Sequence, residues 1–158
     1  MVEVNLLGIP VVLSQQAREH FDEMLREFVM LSNSDESVRL GAPGRLLELS
    51  AELGRRFSAL SAANRGAVEE AAERGEAMVD VTMHVTPAAT EAAVRLGAAL
   101  DEVDAFCALG THLLTLKTPP GPLAYRRWYL AQVAEQVAGA APVSFADWQA
   151  AHTEELRP

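Results

Sequence analysis

The sequence contains a single cysteine and few basic residues. Because Cys107 has no second cysteine to pair with, no disulfide forms inside the chain, which favours a reducing compartment. The 13 Lys and Arg residues are outnumbered by 22 Asp and Glu residues, which leaves a net charge of −9. Nucleic acids and anionic membranes both attract basic surfaces. We therefore expect neither nucleic acid nor a membrane as a partner.

Long apolar runs are also absent from the sequence. No stretch of 18 apolar residues occurs, so we predict no membrane-spanning helix. The apolar N-terminal stretch has no basic region before it and is interrupted by Glu3, Asn5 and Pro10, which argues against a signal peptide. These features predict a cytoplasmic protein. The length of 158 residues fits a single domain, which we expect to span residues 1–158.

Apolar residues at helical spacing predict most of the chain to be helical. A stripe that begins at Ala17 repeats every three or four residues, which is typical of an amphipathic helix. Thr86 followed by Pro87 is typical of an N-cap and the first position of a helix. The predicted helices cover residues 15–31, 43–60, 62–74, 87–108 and 122–138. Residues 140–158 show no such spacing, and we expect a loose tail there.

Two segments are predicted to be extended. Residues 78–85 alternate apolar and polar side chains, which indicates a half-buried strand. Residues 2–13 fit a strand–turn–strand with a bend at Gly8–Pro10, followed by Ser14 as a helix N-cap. Since a lone strand leaves its backbone groups unpaired, the two segments are expected to pair. The sequence therefore predicts a mainly α (α+β) fold, a bundle of four to five helices with a small β element.

We find no set of residues that predicts catalysis or metal binding. The four histidines lack the Glu-x-x-His and His-x-x-x-His spacings of helical metal sites. Cys107 lies on the apolar stripe of its predicted helix, where burial would raise its pKa and make the thiol unreactive. Neither a phosphate-binding glycine loop nor a nucleophile elbow is present. We therefore predict no metal, no cofactor and no enzymatic activity.

The stretch from Leu113 to Leu130, LLTLKTPPGPLAYRRWYL, contains both tyrosines, one of the two tryptophans and two adjacent arginines. Arginine, tyrosine and tryptophan are enriched at binding hot spots. Two arginines in the first turns of a helix oppose its macrodipole, so an acidic partner is expected. That partner is either an acidic cluster on the preceding helix or an acidic group on another protein. The candidate partner-binding residues are Arg126, Arg127, Trp128, Asp101, Glu102 and Asp104.

Three blocks of the sequence, together with the strand at residues 79–85, resemble a known family. The blocks are Arg18–Phe28 (REHFDEMLREF), Leu100–Cys107 (LDEVDAFC) and Leu113–Leu130. The chain resembles small proteins from high-GC bacteria that are encoded beside anti-sigma-factor ATPases and their antagonists, the partner-switching systems. The resemblance implies a role in stress or developmental signalling and no catalytic residues. His112 stands where the pattern would have an acidic residue, so no acidic role is carried over to it.

These observations lead to one leading hypothesis and one alternative. The leading hypothesis is a non-enzymatic regulatory or binding module in bacterial signalling that acts by protein–protein contact, with an anti-sigma ATPase or its antagonist as the partner. The alternative is a small-molecule sensor with a pocket between the helices and the small sheet. Alanine-rich helix stripes and the edge of the N-terminal strand would also allow a homodimer.

Overall fold

A computed structural model describes residues 1–32, 48, 52, 54–55, 61–109 and 117–157. Within these ranges the chain forms five helices and a two-stranded antiparallel sheet, which confirms the predicted mainly α fold. The elements in chain order are β1 (Val2–Pro10), α1 (Val11–Ser32), α2 (Ala62–Glu73), β2 (Met78–Val85), α3 (Pro87–Leu109), α4 (Pro120–Val137) and α5 (Phe145–Ala151). None of these helices is both long enough and apolar enough to span a bilayer.

The two strands pair as the sequence predicts. β1 and β2 run antiparallel, with Val2 opposite Val85. The register shifts around Gly8, where the backbone has a positive φ of 66° that glycine adopts without a Cβ clash. The Gly8 N–H donates to Asp80 Oδ1 at 2.7 Å, which fixes the irregular turn of the strand. Alternate side chains of both strands enter the core, and these are Val4, Leu6, Ile9, Val81, Met83 and Val85.

Helix α1 begins earlier than predicted. Residues Val11–Leu13, which we expected to be extended, form its first turn directly after Pro10. Val11 is buried, and its N–H donates to the carbonyl oxygen of Ala77 at 3.0 Å, so the neighbouring chain satisfies this helix N-terminus. Ser14 therefore lies inside α1 and is not its N-cap. The apolar sequence of this turn favours a strand locally, and tertiary contact overrides that preference.

The other predicted helices agree closely with the structure where it describes them. The Thr86 hydroxyl oxygen accepts a hydrogen bond from the Ala89 N–H at 3.3 Å, which is the expected N-cap of α3. Gly75 and Gly139 follow α2 and α4 with positive φ values of 69° and 98°. The predicted helix at residues 43–60 lies outside the described residues, apart from four positions with helical backbone at 48, 52, 54 and 55.

The segment after α4 was expected to be a loose tail, and this prediction is wrong for residues 145–151. Ser144 caps α5, because its hydroxyl oxygen accepts from the Asp147 N–H at 3.2 Å. Phe145 and Trp148 are buried against β1 and α4. A seven-residue helix is too short to show a repeating apolar stripe, so the signals in the sequence were its two aromatic residues and the capping-box spacing of Ser144 and Asp147.

Helix α4 lies at the centre of the packing, where it contacts α1, α3, α5 and β1. Its Trp128 side chain is fully buried, and the indole N–H donates to the carbonyl oxygen of Val143 at 2.9 Å. The ring meets Phe145 edge-on, with 5.5 Å between centroids. Because α4 is central, some of its side chains face α3 and others face α1.

Candidate functional site

The first arginine of α4 forms ion pairs with two carboxylates of α3. One guanidinium nitrogen of Arg126, Nη2, donates to Asp101 Oδ1 at 2.8 Å and to Asp104 Oδ2 at 2.9 Å. The other, Nη1, donates to the hydroxyl oxygen of Thr118 at 3.2 Å. These four residues, Arg126, Asp101, Asp104 and Thr118, form what we call the Arg126 cluster. The cluster joins the second half of α3 to the start of α4.

Asp104 is the buried acceptor of this cluster. Its Oδ1 accepts from the backbone N–H of Thr118 at 2.9 Å and from the Thr118 hydroxyl at 2.8 Å. With the Arg126 contact on Oδ2, both carboxylate oxygens are hydrogen-bonded. A buried charge is tolerated when it is paired and hydrogen-bonded in this way. The cluster therefore fixes the segment that leads into α4.

The structure decides between the two acidic partners that the sequence left open for Arg126. Its side chain is only 13% exposed and is paired within the chain. Arg127 is 38% exposed, and its Nη2 lies 3.6 Å from Asp101 Oδ1. Glu102 is exposed on α3. Trp128 is 0% exposed.

Because a fully buried indole cannot contact a partner, Trp128 does not belong to the predicted surface. Arg126 and Asp104 are also mostly buried, because they pair with each other. Of the six candidate residues, Arg127, Asp101 and Glu102 are the ones that solvent reaches well. The structure thus brings Asp101 and Asp104 to the two arginines, and three of the six candidates, Arg126, Asp104 and Trp128, are mostly or fully buried.

Cys107 lies one turn after Asp104 and is completely buried. Burial raises the pKa of its thiol to about 11, and the negative charge of Asp104 adds to this shift. The thiol therefore stays protonated near neutral pH, as expected from its place on the apolar stripe of α3. His112, where the family pattern differs, lies outside the described residues.

A cavity of about 300 Å³ lies between α1, α2, α3 and α4, and Gly54 and Arg55 also line it. The described side chains of the sheet do not line it, whereas the sequence predicted a pocket between the helices and the sheet. Its apolar side chains come from all four helices. They are Ala17, Phe21, Met24, Leu25, Val68, Leu96, Leu100, Pro122, Tyr125, Tyr129 and Leu130.

Both tyrosines of the chain line this cavity. Burial raises the pKa of each phenol above its ordinary value of 10.0. The Ser14 hydroxyl donates to the Tyr125 oxygen at 3.1 Å and partly offsets the shift there. The Tyr129 oxygen accepts a hydrogen bond from Asn64 Nδ2, which joins α4 to α2. The two phenols therefore remain neutral donors or acceptors at the edge of an apolar space.

Two polar atoms along the cavity have no hydrogen-bond partner among the described residues. They are Nε2 of His20 on α1 and Oδ1 of Asn64 on α2. Asn64 is 5% exposed, and its Nδ2 is already engaged by Tyr129 and by Met83 Sδ, the latter at 3.4 Å. Buried polar groups are nearly always hydrogen-bonded, so an unpaired one needs an explanation. A bound molecule that supplies the missing group is one such explanation.

The sequence pattern gives no sign of Asn64 or Thr118, and it predicts the pocket beside the sheet, where the structure does not have it. Asn64 occurs near the start of an alanine-rich helix, where a single asparagine gives no sign that it faces the core. The spacing of Tyr125 and Tyr129, one helical turn apart, was the only available signal that the two rings share a face. No group of three or more potential metal ligands occurs in the part of the chain that the structure describes.

Comparison with known proteins identifies no relative of this chain. No family model matches it, and neither a curated protein nor a solved structure shows significant similarity. The resemblance to proteins of partner-switching systems therefore remains a prediction, and the proposals below are based on the geometry.

Proposed function

We propose that this protein is a non-enzymatic small-molecule sensor, with the ligand bound in the cavity between α1, α2, α3 and α4. The observation that supports the proposal is the unpaired Oδ1 of Asn64 beside an apolar space of about 300 Å³. Ligand sites are typically apolar clefts of about 300–1,000 Å³ with a few fixed polar groups. The cavity fits the lower end of that range.

A ligand at this position would contact four helices at once. The cavity is lined by Phe21 of α1, Val68 of α2, Leu100 of α3 and Tyr125 of α4. A molecule that binds the folded state alone stabilises it by mass action. Occupation would therefore hold α1 against the α3–α4 pair, which is a physical basis for a signal.

Thermal unfolding with indole as an apolar two-ring probe tests this function. At ten times its Kd, indole should stabilise the protein by about 1.4 kcal/mol. That stabilisation raises the Tm of a chain of this size by about 3–6 °C. Val68→Phe places a larger side chain in the cavity and should remove the shift. The matched control is Val94→Phe, at a position 56% exposed on α3.

The proposal is wrong if indole leaves the Tm of the wild type unchanged. It is also wrong if folded Val68→Phe protein keeps the whole shift, since the probe then binds elsewhere. Circular dichroism of each variant shows that the fold is retained, so that the comparison concerns the cavity alone.

Contact with a protein partner is a second candidate function, favoured by the exposed surface beside the Arg126 cluster. Val94 is 56% exposed on α3, and a shallow space of about 190 Å³ extends from it to Asp101 and Arg127. This surface suits a partner that presents an apolar side chain next to an acidic one. The resemblance makes an anti-sigma-factor ATPase or its antagonist the partner to test.

Calorimetric titration with the purified ATPase and with its antagonist tests this second function. Arg127→Glu should weaken binding at least about tenfold, because it places two like charges opposite each other. Arg74→Glu changes an exposed arginine that pairs with Glu76 elsewhere on the molecule and should leave the affinity unchanged. If neither protein binds, or if both variants bind like the wild type, this surface is not the contact.

A further inference from the structure

We infer that the cavity takes an uncharged apolar molecule, about two rings in size, which donates one hydrogen bond from an O–H or N–H group to Oδ1 of Asn64. This inference rests on the proposed ligand-binding function and names the chemical class of the ligand. The size follows from the volume, because an apolar cavity of about 150 Å³ takes one benzene ring. The cavity here is about 300 Å³.

The donor requirement follows from the hydrogen bonds of Asn64. Its Nδ2 donates to the hydroxyl of Tyr129 and to Met83 Sδ. The Tyr129 hydroxyl donates its own hydrogen to Met83 Sδ at 3.6 Å and therefore accepts from Asn64. This network assigns Nδ2, and not Oδ1, to the side facing Tyr129 and Met83. Oδ1 is left buried and unpaired among the described residues, and it is an acceptor only. A ligand group that satisfies this atom must therefore carry a hydrogen.

The absence of charge on the ligand follows from the ion pairs around the cavity. Two of the arginines that line it are already paired with carboxylates. Arg126 pairs with Asp101 and Asp104. Arg18 pairs with Glu69, with 3.1 Å between Nη1 and Oε1. Their charges are balanced within the chain, and the other two arginines of the lining, Arg55 and Arg65, are exposed to solvent. An anionic ligand would therefore have to break an existing pair or stay at the surface, where water weakens the attraction. A neutral molecule leaves both pairs intact.

The second unpaired atom, Nε2 of His20, belongs to α1, which also lines the cavity. A ring nitrogen of histidine acts as a donor or as an acceptor according to its tautomer. It therefore accommodates a second polar group of the ligand but does not require one. The donor to Asn64 is the specific requirement, because the amide oxygen has no such choice.

Paired titrations with indole and benzofuran test the inference. The two molecules have almost the same shape, but only indole has an N–H. Their Kd values are measured by calorimetry on the wild type, on Asn64→Leu and on Val68→Ala. In Asn64→Leu the preference for indole should fall about tenfold, because the acceptor is gone while the side-chain size is kept.

Val68→Ala is the matched control, one helical turn further along α2. It enlarges the cavity and should change both Kd values by the same factor, so that the preference for indole stays at the wild-type value. If Asn64→Leu does not fold, NMR of the wild type decides the question. The side-chain amide signals of Asn64 should then shift with indole and remain in place with benzofuran.

Two calorimetric results and one NMR result overturn the inference, and the two calorimetric results have different meanings. If both probes bind and their affinity ratio is the same in the wild type and in Asn64→Leu, the cavity binds ligands but needs no donor. If neither probe binds the wild type, the ligand-binding function itself fails, and the inference fails with it. Equal shifts of the Asn64 amide signals with both probes also contradict the donor requirement.

Discussion

The backbone of Asn5 and the side chain of Gln136 are joined by two hydrogen bonds. The Asn5 N–H donates to Gln136 Oε1, and Gln136 Nε2 donates to the Asn5 carbonyl oxygen, each at 2.8 Å. The carboxamide thus makes the two contacts that a neighbouring strand would make with β1. Gln132 supports it, since its Oε1 accepts from Gln136 Nε2 at 3.0 Å. At Asn5 the edge of β1 is therefore occupied, and a second copy cannot pair there unless Gln136 moves.

Replacing Gln136 with leucine should destabilise the protein by about 2–4 kcal/mol, because two backbone groups of Asn5 lose their partners. Urea denaturation followed by circular dichroism measures the change. Gln16→Leu, at an exposed position of α1, is the control and should change the unfolding free energy by less than about 0.5 kcal/mol. Equal stability of Gln136→Leu and the wild type would show that water satisfies Asn5 equally well.

The two carboxylates of the Arg126 cluster should contribute very differently to the free energy of unfolding. Asp104→Ala leaves a mostly buried guanidinium without its main partner and should cost about 3–5 kcal/mol. Asp101→Ala removes a carboxylate that is 49% exposed and should cost at most about 1 kcal/mol. Chemical denaturation of both variants gives the comparison. Similar losses in the two would contradict the assignment of Asp104 as the buried acceptor.

The two tyrosines predict how stability depends on alkaline pH. Burial raises the pKa of Tyr125 and of Tyr129 in the folded protein, whereas an unfolded tyrosine titrates near pH 10. Above that pH the unfolded state loses protons that the folded state keeps, so the free energy of unfolding falls as pH rises. Below about pH 10 both states are protonated and this effect is absent.

Absorbance at 295 nm, which reports tyrosinate, checks this prediction. The chain has two tyrosines, so the whole signal comes from Tyr125 and Tyr129. In the folded protein the absorbance should rise only together with the loss of structure seen by circular dichroism. A full rise near pH 10 in protein that remains folded would contradict the burial of both phenols.

The Cys107 thiol should be nearly inert in the folded protein. With a pKa of about 11, about one thiol in a thousand is ionised at pH 8, and the side chain is also buried. Its reaction with a disulfide reagent at pH 8 should be at least about 100-fold slower than in urea. Rapid labelling without denaturant would mean that α3 opens readily around this residue.

Local sequence patterns predicted the elements that are determined by residues close together in the sequence. The alternation at residues 78–85 identified β2, and Thr86-Pro87 identified the start of α3. The first turn of α1 was missed, because Val11 is held there by a hydrogen bond to Ala77, 66 positions away in sequence. No local pattern contains that contact.

The candidate site was predicted in part. The macrodipole argument required an acidic partner for the arginines of α4, and Asp101 and Asp104 were among the alternatives. It could not predict that Arg126 would be buried and Arg127 exposed, because that depends on how α4 packs against α3. The role of Asn64 depends on four helices meeting around it, which composition and spacing do not reveal.

The pairing of β1 has a consequence for synthesis of the chain. A ribosome adds about 5–20 residues per second, so about 7–26 s pass between the emergence of Asn5 and that of Gln136. The sequence separation between the two residues is 131. During this interval the nine residues of β1 expose their apolar side chains, and the edge of the strand at Asn5 has no partner. Nascent β1 should therefore be open to ribosome-associated chaperones during synthesis, whereas in refolding of the 158-residue chain Gln136 is present from the start.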